Sequence, residues 1–147
     1  MRQTILKAMG AAGVLLFAGQ LLAGGFYIRL GDPEASPLAR KLGAVLTLQV
    51  WGCQDPATAQ VTAVAIGKVN GERREIPLKL EKLQTVGMYA LTQQWPKEGR
   101  WVIKLVGKKD VFFTNSLIPA GPNGVDRLHD RADMKPFTSA DVDALLQ

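Results

Sequence analysis

Apolar and polar residues alternate in short runs through the middle of the chain. The run "GAVLTLQVW" places Leu46, Leu48 and Val50 on one face and polar residues between them, and a period of two predicts a half-buried strand. The run "QVTAVAIG" is apolar on both faces and small on one, which is typical of a strand covered on both sides. Runs of this length, separated by turn residues, predict an all-β, two-sheet antiparallel sandwich of about seven strands over residues 43–119.

A hairpin signal follows the second run. In "KVNGER" the Asn-Gly pair suits a type I′ turn, because both residues accept a positive φ. The return strand "REIPLKL" places Ile76, Leu78 and Leu80 on one face. Pro77 has no N–H to donate, so this strand is predicted to lie at the edge of its sheet.

Two of the three tryptophans flank a turn in "GMYALTQQWPKEGRWVIKLVG". If the turn closes a hairpin, Trp95 lies opposite Trp101 and Leu91 lies opposite Leu105. If the chain instead crosses from one sheet to the other, the same large apolar residues still point inward. We therefore predict that Trp95 and Trp101 belong to the core.

This stretch resembles bacterial exported domains of the Ig-like and transthyretin-like (YtkA-like) type, in which a G-x-Y strand, a Pro/Gly turn and a G-x-W strand follow each other. The resemblance covers roughly residues 46–119. It implies an Ig-like two-sheet fold and an accessory role outside the cytoplasm. It assigns no site residue, because neither the His/Met-rich copper positions nor the histidine set of transthyretin-like hydrolases is evident in this sequence.

The two segments that follow the predicted sandwich differ in their residue pattern. Residues 120–137 carry many charges, Gly and Pro without a period, which predicts a charged loop. Residues 138–147 predict a short helix, because Thr138 and Asp141 have the spacing of a capping box. Its apolar stripe consists of Val142, Leu145 and Leu146.

The N-terminal residues have the pattern of a secretory signal. Arg2 and Lys7 precede an uncharged apolar stretch over residues 8–28, with small residues at positions 23–25. Residues 1–25 are thus a signal peptide, or alternatively an uncleaved anchor, since residues 8–28 are long enough to span a bilayer. Both alternatives predict an exported protein, periplasmic or secreted. Residues 26–42, rich in Pro, Gly and charge, predict a linker.

The charge balance argues against a nucleic-acid partner. The chain has 18 basic and 13 acidic residues, and two of the basic residues lie in the signal segment. No long run of Lys or Arg is present, so the basic character does not form a nucleic-acid footprint. The partner is predicted to be an unknown exported protein or ligand, and a membrane only through the possible anchor.

Residues able to bind a metal are few. Cys53 is the only cysteine, so an internal disulfide is impossible, and we expect it to be buried and inert. His129 is the only histidine and lies among aspartates and arginines, which predicts a solvated charged loop rather than a metal site. The alternative is a copper-type metal site in which Cys53, His129 and Met134 meet in space, since Cu(I) prefers sulfur ligands.

No pattern of nucleophile and base predicts an enzyme. The chain has a single histidine and lacks a G-x-S-x-G elbow, and no cofactor is predicted. Trp51, Trp95 and Trp101 end strands and offer an alternative as a ligand-stacking platform. The sequence thus predicts an exported, non-enzymatic Ig-like binding or assembly module, with an extracytoplasmic metal-handling accessory domain as the alternative.

Overall fold

The computed structural model describes residues 25–147, which form two antiparallel β-sheets packed face to face. In chain order the strands are β1 (Tyr27–Gly31), β2 (Ala44–Trp51), β3 (Gln60–Val69), β4 (Glu72–Leu78), β5 (Leu80–Lys82), β6 (Met88–Thr92), β7 (Arg100–Lys109), β8 (Phe112–Gly121), β9 (Gly124–Val125) and β10 (Arg131–Asp133). The helices are α1 (Pro37–Lys41) and α2 (Ser139–Leu145), and short 3-10 turns cover Pro33–Ala35, Pro56–Thr58 and Arg127–His129.

The first sheet has the strand order β1-β2-β6-β5, and the second has the order β10-β8-β7-β3-β4 with β9 paired to β8. The prediction of a two-sheet antiparallel β-sandwich is therefore confirmed. Residues 25–147 contain ten strands rather than about seven. The additional strands lie where the hydrophobic pattern is short or has no period.

The segment predicted as a linker is largely ordered structure. Strand β1 pairs residue by residue with β2, from Tyr27 opposite Trp51 to Gly31 opposite Thr47. Its Ile28 is buried in the core. In the sequence, this alternation is hidden because the strand follows directly on an uncharged apolar stretch. The connection to β2 then contains α1, which begins where the Ser36 side chain accepts a hydrogen bond from the Ala39 N–H.

The segment predicted as a charged loop also contains strands. Strand β10 pairs with β8 from Arg131 opposite Leu117 to Asp133 opposite Asn115. All three β10 side chains are exposed, and the strand is held by its backbone pairing with β8, by the Asn115 side chain, which donates to the Asp133 and Met134 carbonyl oxygens, and by the contact of Arg131 with Asp141. A strand with no buried face leaves no alternation in the sequence, which is why the prediction was wrong here.

The predicted Asn-Gly hairpin is confirmed between β3 and β4. Asn70 and Gly71 have φ values of 52° and 83°, and Val69 lies opposite Glu72. Strand β4 pairs only with β3, so Pro77 lies in an edge strand as predicted.

The two core tryptophans lie on a segment that crosses between the sheets. Strand β6 belongs to the first sheet and β7 to the second, so the hairpin arrangement is wrong and the crossing arrangement is confirmed. Leu91 lies opposite Leu46 and Leu80 rather than Leu105. Both rings are in the core, with Trp95 4% and Trp101 1% exposed.

Small residues on the inner face of β3 make room for the Trp101 ring. Ala63 and Ala65 are buried on this face, and Gly67 lies directly opposite Trp101. A methyl group on Gly67 would overlap the Trp101 ring. The indole Nε1 of Trp101 donates a hydrogen bond of 2.9 Å to the carbonyl oxygen of Glu98, which fixes the orientation of the ring.

Helix α2 covers the outer face of the second sheet. The predicted capping box is present, because the Thr138 hydroxyl accepts from the Asp141 N–H and the Asp141 carboxylate accepts from the Thr138 N–H. Val142 and Leu146 are buried on this helix. They pack against the outward-facing residues Ile66, Val102 and Leu117.

Gly67→Ala tests the fit between β3 and Trp101. We expect the unfolding free energy to fall by about 1–3 kcal/mol, because the added methyl group must displace the packed ring. Gly121→Ala is the matched control: it also lies in a strand, but a methyl group there meets no atom within 4 Å. Chemical denaturation checks both variants, and equal midpoints for the two would contradict this packing.

Candidate functional site

One end of the sandwich gathers the first residues of the domain and the β7–β8 turn. At this end β1 begins opposite the last residue of β2, and β3 begins with Gln60 opposite Lys108. The β7–β8 turn closes between Lys109 and Phe112, which are paired. We call this the entry end, because the chain enters the sandwich here.

Two glycines, Gly52 and Gly107, allow close packing of the first residues of the described chain. Phe26 and Ile28 are buried, and a Cβ on Gly107 of β7 would lie 3.1 Å from both side chains. Gly52 has a φ of 80°, and a Cβ on it would overlap the carbonyl oxygen of Gly25. The bare backbones of these glycines thus hold Gly25 and Phe26 against the ends of both sheets.

A groove of about 790 Å³ lies at the entry end. We call it the entry groove. Its lining consists of Gly25, Phe26, Gly52, Cys53, Gln54, Asp55, Lys109, Asp110, Val111, Phe112, Phe113 and Met134. Four segments that are distant in sequence therefore meet at its walls: the start of the described chain, the β2–β3 connection, the β7–β8 turn and Met134, which follows β10.

Exposed apolar side chains concentrate at the entry end. Of the nine large hydrophobic residues exposed within residues 25–147, seven lie there. Val111 is 80% exposed, Met134 70% and Phe112 59%. The full set is Tyr27, Trp51, Val86, Val111, Phe112, Phe113 and Met134, whereas Leu42 and Leu128 lie elsewhere. Val86 does not line the groove, but its neighbour Gly87 packs against Val50 and Pro56 near the end of β2. Clustered exposure of this kind marks an interaction surface, while single exposed hydrophobic residues do not.

Cationic groups lie on two of the exposed rings. The Arg29 guanidinium carbon is 4.3 Å from the centre of the Trp51 ring, and Lys108 Nζ is 5.6 Å from the centre of the Phe113 ring. Lys109 donates to the Thr58 hydroxyl and lies 3.6 Å from the Asp110 carboxylate. Basic side chains thus lie next to the exposed aromatic rings, and Lys109 has an acidic neighbour in Asp110.

The three residues of the predicted metal site separate into two places. Cys53 and Met134 both line the entry groove, and Cys53 is half-buried rather than buried as expected. His129 does not line this groove, and its Nδ1 lies 2.7 Å from Asp126 Oδ2. In the part of the chain that the structure describes, no three His, Cys, Asp or Glu residues are placed to hold a metal ion.

Ion pairs fasten the charged segment around His129. The hydrogen bond with His129 lowers the pKa of the Asp126 carboxyl below its ordinary value. Arg127 pairs with Asp32 at 3.1 Å, where the Glu34 N–H and then Arg127 lower the pKa of Asp32. The arginine therefore pairs with an aspartate outside the segment. Asp126 and Arg127 thus have partners within the protein, and their charges do not indicate a ligand.

The three tryptophans do not form one platform. Trp95 and Trp101 are core residues, whereas Trp51 is 43% exposed at the entry end. Trp95 Nε1 has no hydrogen-bond partner among the described residues. Of the predicted platform, only Trp51 faces solvent.

Sequence reasoning missed the β7–β8 turn as a functional feature. The run "KKDVFFTNSLIP" predicts a strand after a Lys-Lys-Asp turn, and in the structure β8 does begin at Phe112, with Val111 in the turn. The pattern did not indicate that Val111, Phe112 and Phe113 are all exposed. The available signal was a run of three apolar residues directly after Lys-Lys-Asp, where turns normally carry polar residues.

Two further grooves lie away from the entry end. One of about 900 Å³ runs along the segment 121–130. In this segment Arg127 pairs with Asp32, and Asp126 pairs with His129. The other, of about 300 Å³, lies where α2 meets the second sheet. Neither contains the exposed aromatic residues.

Comparison with protein-family models, with curated proteins and with solved structures gives no match for this chain. The resemblance to YtkA-like exported domains therefore stays a prediction. Within residues 25–147, no helix is both long enough and apolar enough to cross a membrane.

The accessibility of Cys53 can be measured directly. Because the thiol is half-buried at the wall of the entry groove, we expect a small thiol reagent to label the native protein without denaturant. Labelling should be slower than in the unfolded chain, and Cys53→Ser should show none. A native protein that resists the reagent until it unfolds would contradict the placement of Cys53 in the groove.

Proposed function

We propose that this protein is an exported, non-enzymatic binding or assembly module with an Ig-like (transthyretin-like) β-sandwich, and that the entry end is its binding surface. The observation that carries the proposal is the concentration of seven of the nine exposed large hydrophobic residues of the described chain at that end. Leaving these side chains in water costs free energy that a partner would recover.

The shape of the entry end supports binding. The entry groove has a volume of about 790 Å³, within the range of roughly 300–1,000 Å³ typical of ligand sites. Aromatic residues dominate the energetics of interfaces, and Trp51, Phe112 and Phe113 are all exposed here. The β7–β8 turn is short and follows a ten-residue strand, so little conformational entropy is lost when it binds.

The boundary of the folded domain supports export. Residues 1–25 carry the features of a signal segment, and Phe26 is the first buried side chain of the described chain. Cleavage after Ala23 or Gly25 would thus leave every core residue in place. The Ig-like assignment rests on the two antiparallel sheets and on the motif around Trp101.

Site-specific photo-crosslinking tests the binding surface. A photoreactive side chain at Phe112 is expected to form adducts in cells, because this position lies at the centre of the apolar surface. Leu128 is the matched control, as it is 91% exposed but lies away from the entry end. Equal adducts at both positions, or none at Phe112, would argue against the entry end as the binding surface.

A metal-handling function is the second candidate, and one observation favours it. The Cys53 thiol and the Met134 thioether line the same groove, and both are ligand types that Cu(I) prefers. His129 is no longer part of this candidate, because it is held by Asp126 outside the groove.

Titration with Cu(I) tests the second candidate. Binding to the native state would raise the melting temperature, and the rise should disappear in Cys53→Ser and shrink in Met134→Leu. His129→Ala should bind as the parent does, because this side chain lies outside the groove. An unchanged melting temperature in the parent protein would rule out copper handling by this site.

A further inference from the structure

We infer that the partner of the entry end is the surface of a lipid bilayer, into which the β7–β8 turn inserts beside the N-terminal segment. The inference rests on the proposed function, since it names the partner of the proposed binding surface. The inserting residues are Val111, Phe112 and Phe113, with Met134 beside them.

The place where the chain enters the domain supports a bilayer. Gly25 and Phe26 line the same groove as Val111–Phe113, and the preceding residues 8–24 are uncharged and apolar. Gly25, which lines the groove, follows this segment directly in the sequence. If the segment is the uncleaved anchor, the membrane that receives it therefore adjoins the entry end.

The residue types at the entry end suit a bilayer surface. Val111 and Met134 line the groove and are 80% and 70% exposed. Tyr27 and Trp51 are paired where β1 begins and are partly exposed, and these two residue types favour the boundary between lipid and water.

A cationic side chain next to the turn is suited to contact lipid headgroups. The Lys108 ammonium group lies 5.6 Å from the centre of the Phe113 ring, and such a long side chain can reach headgroups while its carbon stem stays against apolar surface. Lys109 is instead held by Thr58 and Asp110. Asp55 and Asp110 also line the groove, so the net charge there is small. Burial of the apolar turn, rather than attraction to anionic lipid, is therefore the main driving force, and binding should weaken only slightly with salt.

Depth-dependent quenching of a label tests the insertion. In a Cys53→Ser background, the full chain carries Phe112→Cys with an environment-sensitive fluorophore. It is mixed with vesicles of phosphatidylcholine and phosphatidylglycerol whose acyl chains are brominated. We expect the label at position 112 to be quenched and shifted to shorter wavelength. A label at Leu128→Cys, which is also exposed in solution but lies away from the entry end, should show neither change.

A charged variant of the β7–β8 turn shows whether the turn inserts into the bilayer or only lies close to it. Val111→Asp places a carboxylate beside the label and should remove most of the quenching at position 112, because a charge is costly within the bilayer. Leu42→Asp makes the same chemical change at an exposed position outside the entry end and should leave the quenching unchanged. Both positions are exposed, so neither substitution should prevent folding.

The outcomes separate this inference from the proposed function. Quenching at 112 alone supports insertion. An unquenched label at 112, or equal quenching at 112 and 128, overturns the bilayer as partner. If photo-crosslinking at Phe112 then captures a protein, the entry end remains a binding surface with a protein partner. If it captures nothing, the proposed function fails as well.

Discussion

The packing of Phe26 and Ile28 on the bare backbone of Gly107 helps to position the first residues of the described chain. A Cβ at position 107 would lie 2.8 Å from the Thr114 methyl group and 3.1 Å from both Phe26 and Ile28, so these neighbours would have to shift for a larger residue. The pairing of Tyr27 with Trp51 sets the register of the first strand. Together these contacts keep Gly25 and Phe26 at the wall of the entry groove, next to the β7–β8 turn.

In the rest of the fold, most apolar surfaces are covered by other parts of the protein. The inner faces of both sheets cover each other around Trp101 and its neighbours, and α2 covers part of the outer face of the second sheet through Val142 and Leu146. Charged side chains elsewhere form ion pairs, such as that between Arg127 and Asp32. Among residues 25–147, seven of the nine exposed large hydrophobic residues lie at the entry end, and Leu42 and Leu128 lie elsewhere.

Much of the fold followed from local pattern, whereas the candidate site did not. Regular alternation predicted the long strands, and turn and cap chemistry predicted the Asn70–Gly71 hairpin and the Thr138 cap. Strand β1 was missed because its alternation merges with the apolar segment before it, and β10 because no face of it is buried. The entry groove joins Gly25, Cys53 and Phe112, and such a meeting depends on tertiary packing that no local pattern encodes.

Amide hydrogen exchange can show whether this protein binds through its entry end. Exchange should be compared between the protein in its native envelope fraction and the purified protein in solution. We expect slower exchange in the bound state at residues 52–55 and 109–113, with no change at the Asn70–Gly71 turn at the opposite end of the sandwich. Equal exchange in both states at the entry end, or protection at the opposite turn instead, would contradict this expectation.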